Sequence, residues 1–291
     1  MIYLLLAIFF SSGIAIIFKL FNRFNISNLQ AITVNYLVAV LAAYFACKPG
    51  FDFSEIISKP WFYMAVIVGI TFIATFFIYA KSAQKAGVAI SAVASRMSVV
   101  IPVSIGIIFY GEKISWLIIM GIVFSLVAFY FILQKRSGIK VNYRYFILPI
   151  ILFIGFGFND SMLKHAEKLH ISILYELNTS EYYLFLLVVF SVALLLGILA
   201  FITQLISKKE KIKLKNINGG VFLGIFNFLS TYYFLKGMAY FDSSVYFPIL
   251  NTGIVTIGAL AGRFFFKEDF TYKNWIGILL AICAIFMLRL G

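Results

Sequence analysis

Residues 106–128 read GIIFYGEKISWLIIMGIVFSLVA, and residues 262–284 read GRFFFKEDFTYKNWIGILLAICA. Both copies carry G-x5-E-x8-G-x6-A without a gap, through Gly106, Glu112, Gly121 and Ala128, then Gly262, Glu268, Gly277 and Ala284. The same shift places Thr75 on Thr231 and Ala83 on Ala239. A slightly smaller shift places FKLFNRFNIS (18–27) on LKHAEKLHIS (163–172), with Lys19 against Lys164. Each match is short. Their common order along the chain makes the two halves copies of one unit.

Composition says what kind of unit. Of 291 residues, 63% are hydrophobic and 12% charged, with a mean hydropathy of +1.02. A soluble domain of this size has no use for so much apolar surface, whereas each membrane-spanning helix needs ~20 mostly apolar residues. The 34 Phe and 17 Tyr suit lipid-facing and interfacial positions. A net charge of +13 is not a nucleic-acid signature here, because Lys and Arg fall between the apolar segments. Cys47 and Cys283 offer no disulfide framework. The first apolar stretch, Ile2 to Phe18, lacks a basic leader and a small-residue cleavage site, so it reads as the first membrane helix.

Ten apolar segments follow, at 2–19, 29–47, 61–80, 86–110, 114–134, 145–163, 173–206, 218–236, 243–266 and 272–290. The seventh is long, and its polar start ISILYELNTSE lies partly outside the hydrocarbon or tilts with the helix. The expected fold is therefore all-α and polytopic. Residues 1–134 form a first five-helix repeat, 135–144 a basic linker, and 145–291 a second repeat. An odd number of helices per repeat makes the second copy enter from the opposite side. Inverted repeats suit a transporter, in which two equivalent halves exchange conformations around a midplane site.

The twice-repeated Gly–Glu segment, the ten helices and the length resemble the EamA family of the drug/metabolite transporter superfamily, over essentially the whole chain. The resemblance implies a ten-helix bundle of two inverted repeats that moves small metabolites, often amino acids, outward. One departure is local: Pro102 falls on Gly258 and Pro248 on Ala92, so the prolines of the fourth and ninth helices are not equivalent.

Arg96 is the charge that does not belong in its surroundings, since it stands alone between Ala86 and Tyr110. Ten residues into its run it lies about 15 Å deep. An unpartnered charge there costs roughly 2.5–3.5 kcal/mol on insertion scales. Either it is locked in a fixed ion pair, or it receives a carboxylate or phosphate from a solute. Ser95 and Ser98 add hydroxyls beside it. Glu181 in the seventh helix and Asp160 in the sixth, with Asn159 adjacent, are the acids of similar depth. Balancing Arg96, binding a substrate amine and carrying a coupling proton all stay open for them; Glu176 lies nearer the membrane edge. In the ninth helix Asn251 and Thr252 fall on Ser95 and Arg96, close to a break at Pro248 and Gly253. Thr75 and Thr231 line the cavity symmetrically or bond their own helices.

Other patterns read as structural. Glu112 and Glu268 precede helices, where a carboxylate suits the positive N-terminus. Gly220-x3-Gly224 and Gly258-x3-Gly262 read as close helix packing within the monomer. His165 and His170 are five residues apart and cannot share a metal as i, i+4 ligands do. With no nucleophile elbow or metal motif, no enzyme activity and no cofactor are expected; an ion channel with a charged pore is the rival class.

The expected protein is thus a secondary carrier of small polar metabolites such as amino acids or organic acids. Its cavity is expected between the third, fourth, sixth, eighth and ninth helices, with Glu181 approaching from the seventh. Its partners are the lipid bilayer of a cytoplasmic or inner membrane and a small-molecule substrate. A monomer is expected, with a homodimer as the other arrangement. The clusters Lys135, Arg136, Lys140 and Arg144, and Lys208 to Lys215, fall on the side opposite the termini. The positive-inside rule puts that side in the cytoplasm and both termini outside. Resemblance to the family implies the reverse.

Overall fold

A computed structural model describes residues 1–47, 53–85, 88–133, 147–171, 181–208, 213–267 and 270–291. The described residues form helices and no strand. In order these are α1 (Ile2–Phe24), α2 (Asn28–Ala46), α3 (Phe53–Ser58), α4 (Phe62–Lys85), α5 (Val88–Met97), α6 (Val100–Tyr110) and α7 (Trp116–Leu133). They continue with α8 (Ile147–Ala166), a π-helical turn (Glu167–Ile171), α9 (Glu181–Lys208), α10 (Leu214–Met238), α11 (Ser243–Phe264) and α12 (Tyr272–Leu290). Seven of the described helices are long and apolar enough to cross a membrane, and Ala94–Tyr110 and Trp116–Ile132 are shorter apolar stretches. The linker 135–144, Glu176 and Glu268 lie outside the described residues.

The surface is unlike that of a soluble protein. Phe45 is 79% exposed and Trp116 72%, while Ser91, Ser125, Glu181 and Thr252 are fully buried. Large apolar side chains on the outside, with a few polar ones sheltered among the apolar core, are what a lipid solvent selects. This is a polytopic membrane protein.

The chain divides into two compact units, and neither is a continuous half of the sequence. One unit comprises Met1–Ile73 and His165–Ala239. In it α10 packs on α1 and α2, and α2 also packs on α9. Glycines set the closeness of these crossings. A β-carbon at Gly220 would come within 2.6 Å of the Ala31 carbonyl oxygen, and one at Gly224 within 2.7 Å of that of Asn35. Gly69 meets the Val189 carbonyl oxygen at 2.6 Å in the same way. Backbone atoms cannot step aside, so these positions require glycine.

The other unit comprises Ala74–Lys164 and Tyr240–Gly291. Here α12 lies along α7, and α11 packs on α6, α7 and α12. Leu288 fills the space over Gly121, its Cγ 2.6 Å from where a β-carbon would stand, and Ile132 does the same over Gly277 at 2.8 Å. Each glycine is early in its helix and each partner late in the other, so the two helices run antiparallel with reciprocal contacts. Gly258 breaks the expectation of close packing, for among the described residues nothing lies within 4 Å of its would-be β-carbon. Its G-x-x-x-G spacing is not a packing motif at that position.

The segment 86–110, expected as one helix, breaks between Met97 and Val100. Pro102 is the cause: it has no N–H for the Ser98 carbonyl four residues earlier, and its ring crowds that oxygen. The Ile101 N–H takes the Ser98 carbonyl instead, at 2.9 Å, in a tighter turn. Arg96 therefore sits in the last turn of α5, where the helix dipole favours a cation.

Candidate functional site

The Arg96 guanidinium donates from Nη1 to Asn251 Oδ1 at 2.9 Å. The Asn251 amide nitrogen turns back to the Phe247 carbonyl of its own helix at 3.1 Å, which fixes the amide oxygen toward Arg96. Arg96 thus has a neutral partner rather than a carboxylate, and its charge is not cancelled by that contact. Asp160 and the Tyr79 hydroxyl lie within electrostatic reach of it. Ser95 and Ser98 do not contribute their protons, because each hydroxyl donates to a carbonyl of α5, Ala92 at 2.9 Å and Ser95 at 2.7 Å.

Thr252 is fully buried, and its hydroxyl has no hydrogen-bond partner among the described residues. Pro248, inside α11, leaves the Ser244 carbonyl without its usual N–H donor four residues on. The Asn159 amide donates to Thr75 Oγ1 at 3.3 Å. Gly155 lets α8 approach Thr75, whose methyl lies 2.6 Å from where a β-carbon would stand, and Gly157 lets it approach Ile101. One unit therefore holds Arg96, Asn251, Thr252, Asp160, Asn159 and Thr75.

The remaining expected residues lie elsewhere. Thr231 belongs to the first unit and donates to its own helix at the Asn227 carbonyl, 2.9 Å away. Glu181 is in that unit too, fully buried in the first turn of α9. It accepts from Lys59 Nζ at 2.7 Å and from the Trp61 indole N–H at 2.9 Å. Arg96 belongs to the other unit, and the depth expected for Glu181 counts through residues 172–180, outside the described ones.

Sequence reasoning missed the polar groups around Glu181. Tyr182 reaches the buried Glu167 at 3.5 Å. Tyr183 stacks on Tyr232 with ring centroids 4.9 Å apart, and Lys236 Nζ donates to the Tyr232 hydroxyl at 3.2 Å. Lys59 and Lys236 read as loop charges because each stands at the edge of an apolar run. The consecutive Glu181-Tyr182-Tyr183 was the available signal, three polar-tipped side chains opening a helix.

Glu112 is at a helix N-terminus, but not that of the helix following it in sequence. Its carboxylate accepts from the Ser243 and Ser244 amides of α11 at 2.8 and 2.9 Å. Gly111, at φ +63°, closes α6 in a left-handed turn. That turn returns Glu112 over Gly106, where a β-carbon would stand 2.7 Å from the carboxylate carbon. The G-x5-E spacing is the room needed for this carboxylate. Lys267, the position equivalent to Gly111, also has positive φ, at +54°; Gly262 is buried in α11.

Apolar helices that carry their aromatic side chains outward, one of them broken beside a half-buried arginine, fit the class of polytopic membrane proteins. The model of the EamA-like transporter family matches residues 1–134 and 171–290, and the protein belongs to that family, part of the drug/metabolite transporter superfamily. The chain is similar to an uncharacterized protein of Haemophilus influenzae, 27% identical over 296 residues, covering 98% of this chain and 96% of that one. A solved crystal structure is similar in fold, with a TM-score of 0.77 at 14% identity over 99% of this chain and 96% of its own.

Proposed function

We propose that the protein is a secondary carrier, exporting small polar metabolites that bear a carboxylate or similar anion, such as amino acids or organic acids. It works by alternating access around a midplane cavity, with ten spans arranged as two inverted five-helix repeats. The observation that carries the reading is the Arg96–Asn251 contact: a half-buried guanidinium held by a neutral amide keeps its charge and most of its five N–H donors for a solute. Asp160 within reach suits a solute amine, and the unpartnered Thr252 hydroxyl offers one more hydrogen bond. Polar groups beside a helix break are the usual make-up of a carrier site. The reciprocal Gly121–Leu288 and Gly277–Ile132 contacts and the matched positive φ of Gly111 and Lys267 support the repeat.

The test is counterflow in proteoliposomes with a panel of labelled amino acids, organic acids and cationic amines. Anionic or zwitterionic solutes should move, and Arg96→Gln should raise their half-saturation concentration by about tenfold to a hundredfold, the worth of a hydrogen bond to a charged group. Equal movement of cationic amines, unchanged by the substitution, would overturn the reading. So would single-channel conductance, at rates that a rocking carrier cannot approach.

A further inference from the structure

The first turn of α11 is buried and has no cap of its own. Ser243 and Ser244 are fully buried, and Asp242 at the N-cap makes no side-chain cap bond. Helix N-termini leave their first amides without intrahelical acceptors, and leaving them so in a buried place is costly. Glu112, from the turn between α6 and α7, satisfies two of them with one carboxylate. Lys164 in α8, itself buried, donates to the Phe241 carbonyl at 3.1 Å, on the turn leading into the same helix. The entry to α11 is thus gripped from both sides of its chain, by an acid on its amides and a base on a carbonyl.

Further along, Pro248 removes the N–H that would tie the helix to Ser244. Beyond the proline the next external hold is Arg96 on Asn251. Besides its packing on α6, α7 and α12, the helix therefore has a side-chain anchor on each side of a weakened point.

We propose that Glu112 is a positioning residue of the transport site, with Lys164 assisting it. It fixes the near side of the Pro248 hinge, so that Asn251, about 12 Å on along the helix, meets Arg96 while the site is empty. A solute anion that takes over Arg96 releases Asn251, and only the far side of α11 swings. This rests on the proposed role of Arg96, but it is read without transport.

Phenylglyoxal modifies accessible guanidinium groups, and mass spectrometry of the labelled protein in lipid nanodiscs follows Arg96 by itself. Glu112→Gln keeps the shape but removes the charge and one amide acceptor. It should raise the Arg96 modification rate at least fivefold and speed amide exchange across 239–247 at least tenfold. Ser243→Pro deletes one of the two amides directly, and proline is well tolerated at a first helical position. It should reproduce both effects even where Glu112→Gln fails to fold. With Pro248→Ala, which restores the missing bond, Ser243→Pro should leave Arg96 labelling within twofold. Unchanged Arg96 labelling in either single variant, or an equal rise with and without Pro248, would overturn the proposal. Transport of anionic solutes left unchanged by Arg96→Gln, with these labelling results intact, would fault the functional reading instead.

Discussion

Arg96 and Asn251, 155 residues apart in sequence, meet at 2.9 Å through a charged donor and an uncharged acceptor. A carboxylate at the acceptor position would neutralise the guanidinium. Asn251→Asp is therefore expected to form an internal ion pair that competes with solute anions. Half-saturation for carboxylate-bearing solutes should rise at least tenfold in proteoliposome counterflow, with thermal stability held or raised. Unaltered affinity would remove Arg96 from the binding reaction.

Glu181 is fully buried, whereas the Lys59 side chain paired with it is 23% exposed. Removing the lysine strands a buried charge, and removing the acid leaves a lysine that can rehydrate. Breaking a buried pair costs about 3–5 kcal/mol, and the partial exposure here brings the expected loss for Lys59→Met to about 2–4 kcal/mol. Glu181→Gln should cost about 1 kcal/mol, because Trp61 can still donate to the amide oxygen. Unfolding monitored by size-exclusion chromatography after heating would show the order, and a larger loss for Glu181→Gln would contradict it.

The two G-x-x-x-G stretches should respond oppositely to alanine. Gly220→Ala drives a methyl against the Ala31 carbonyl oxygen, 2.6 Å from the new atom, and is expected to cost about 1–3 kcal/mol. Gly258→Ala meets no atom of the described residues within 4 Å and should gain up to about 1 kcal/mol from helix propensity. Melting temperatures of the two variants, measured side by side, decide the matter.

Charge distribution and family resemblance disagree on orientation, and the positive-inside rule is the one that acts on this chain. A phosphatase fused after Gly291 is expected to be active, and a fluorescent protein in its place dark. Fluorescence without phosphatase activity would reverse the orientation. Lys164 is a poor member of such a count, since it is buried in α8 rather than in a loop.

The membrane class and most helix positions were legible in the amino-acid sequence, because hydropathy over a turn or two is a property of the segment itself. So was the oddity of Arg96, whose cost depends only on the apolar run around it. The break after Met97 was not read from the chain, where 86–110 stood as one apolar run, although Pro102 withholds the bond to Ser98 that causes it. What the chain could not state was partnership. The acids proposed for Arg96 were judged by depth, yet Glu181 pairs with Lys59 in one unit while Arg96 meets Asn251 in the other. Glu112 carried the mark of a helix N-terminus, and only the fold showed the helix to be α11. Local free energies are set by neighbouring residues, but a hydrogen bond goes to whichever acceptor the packed helices bring within 3 Å. Packing was decided in turn by where Gly106, Gly121, Gly220 and Gly277 let backbones and side chains approach.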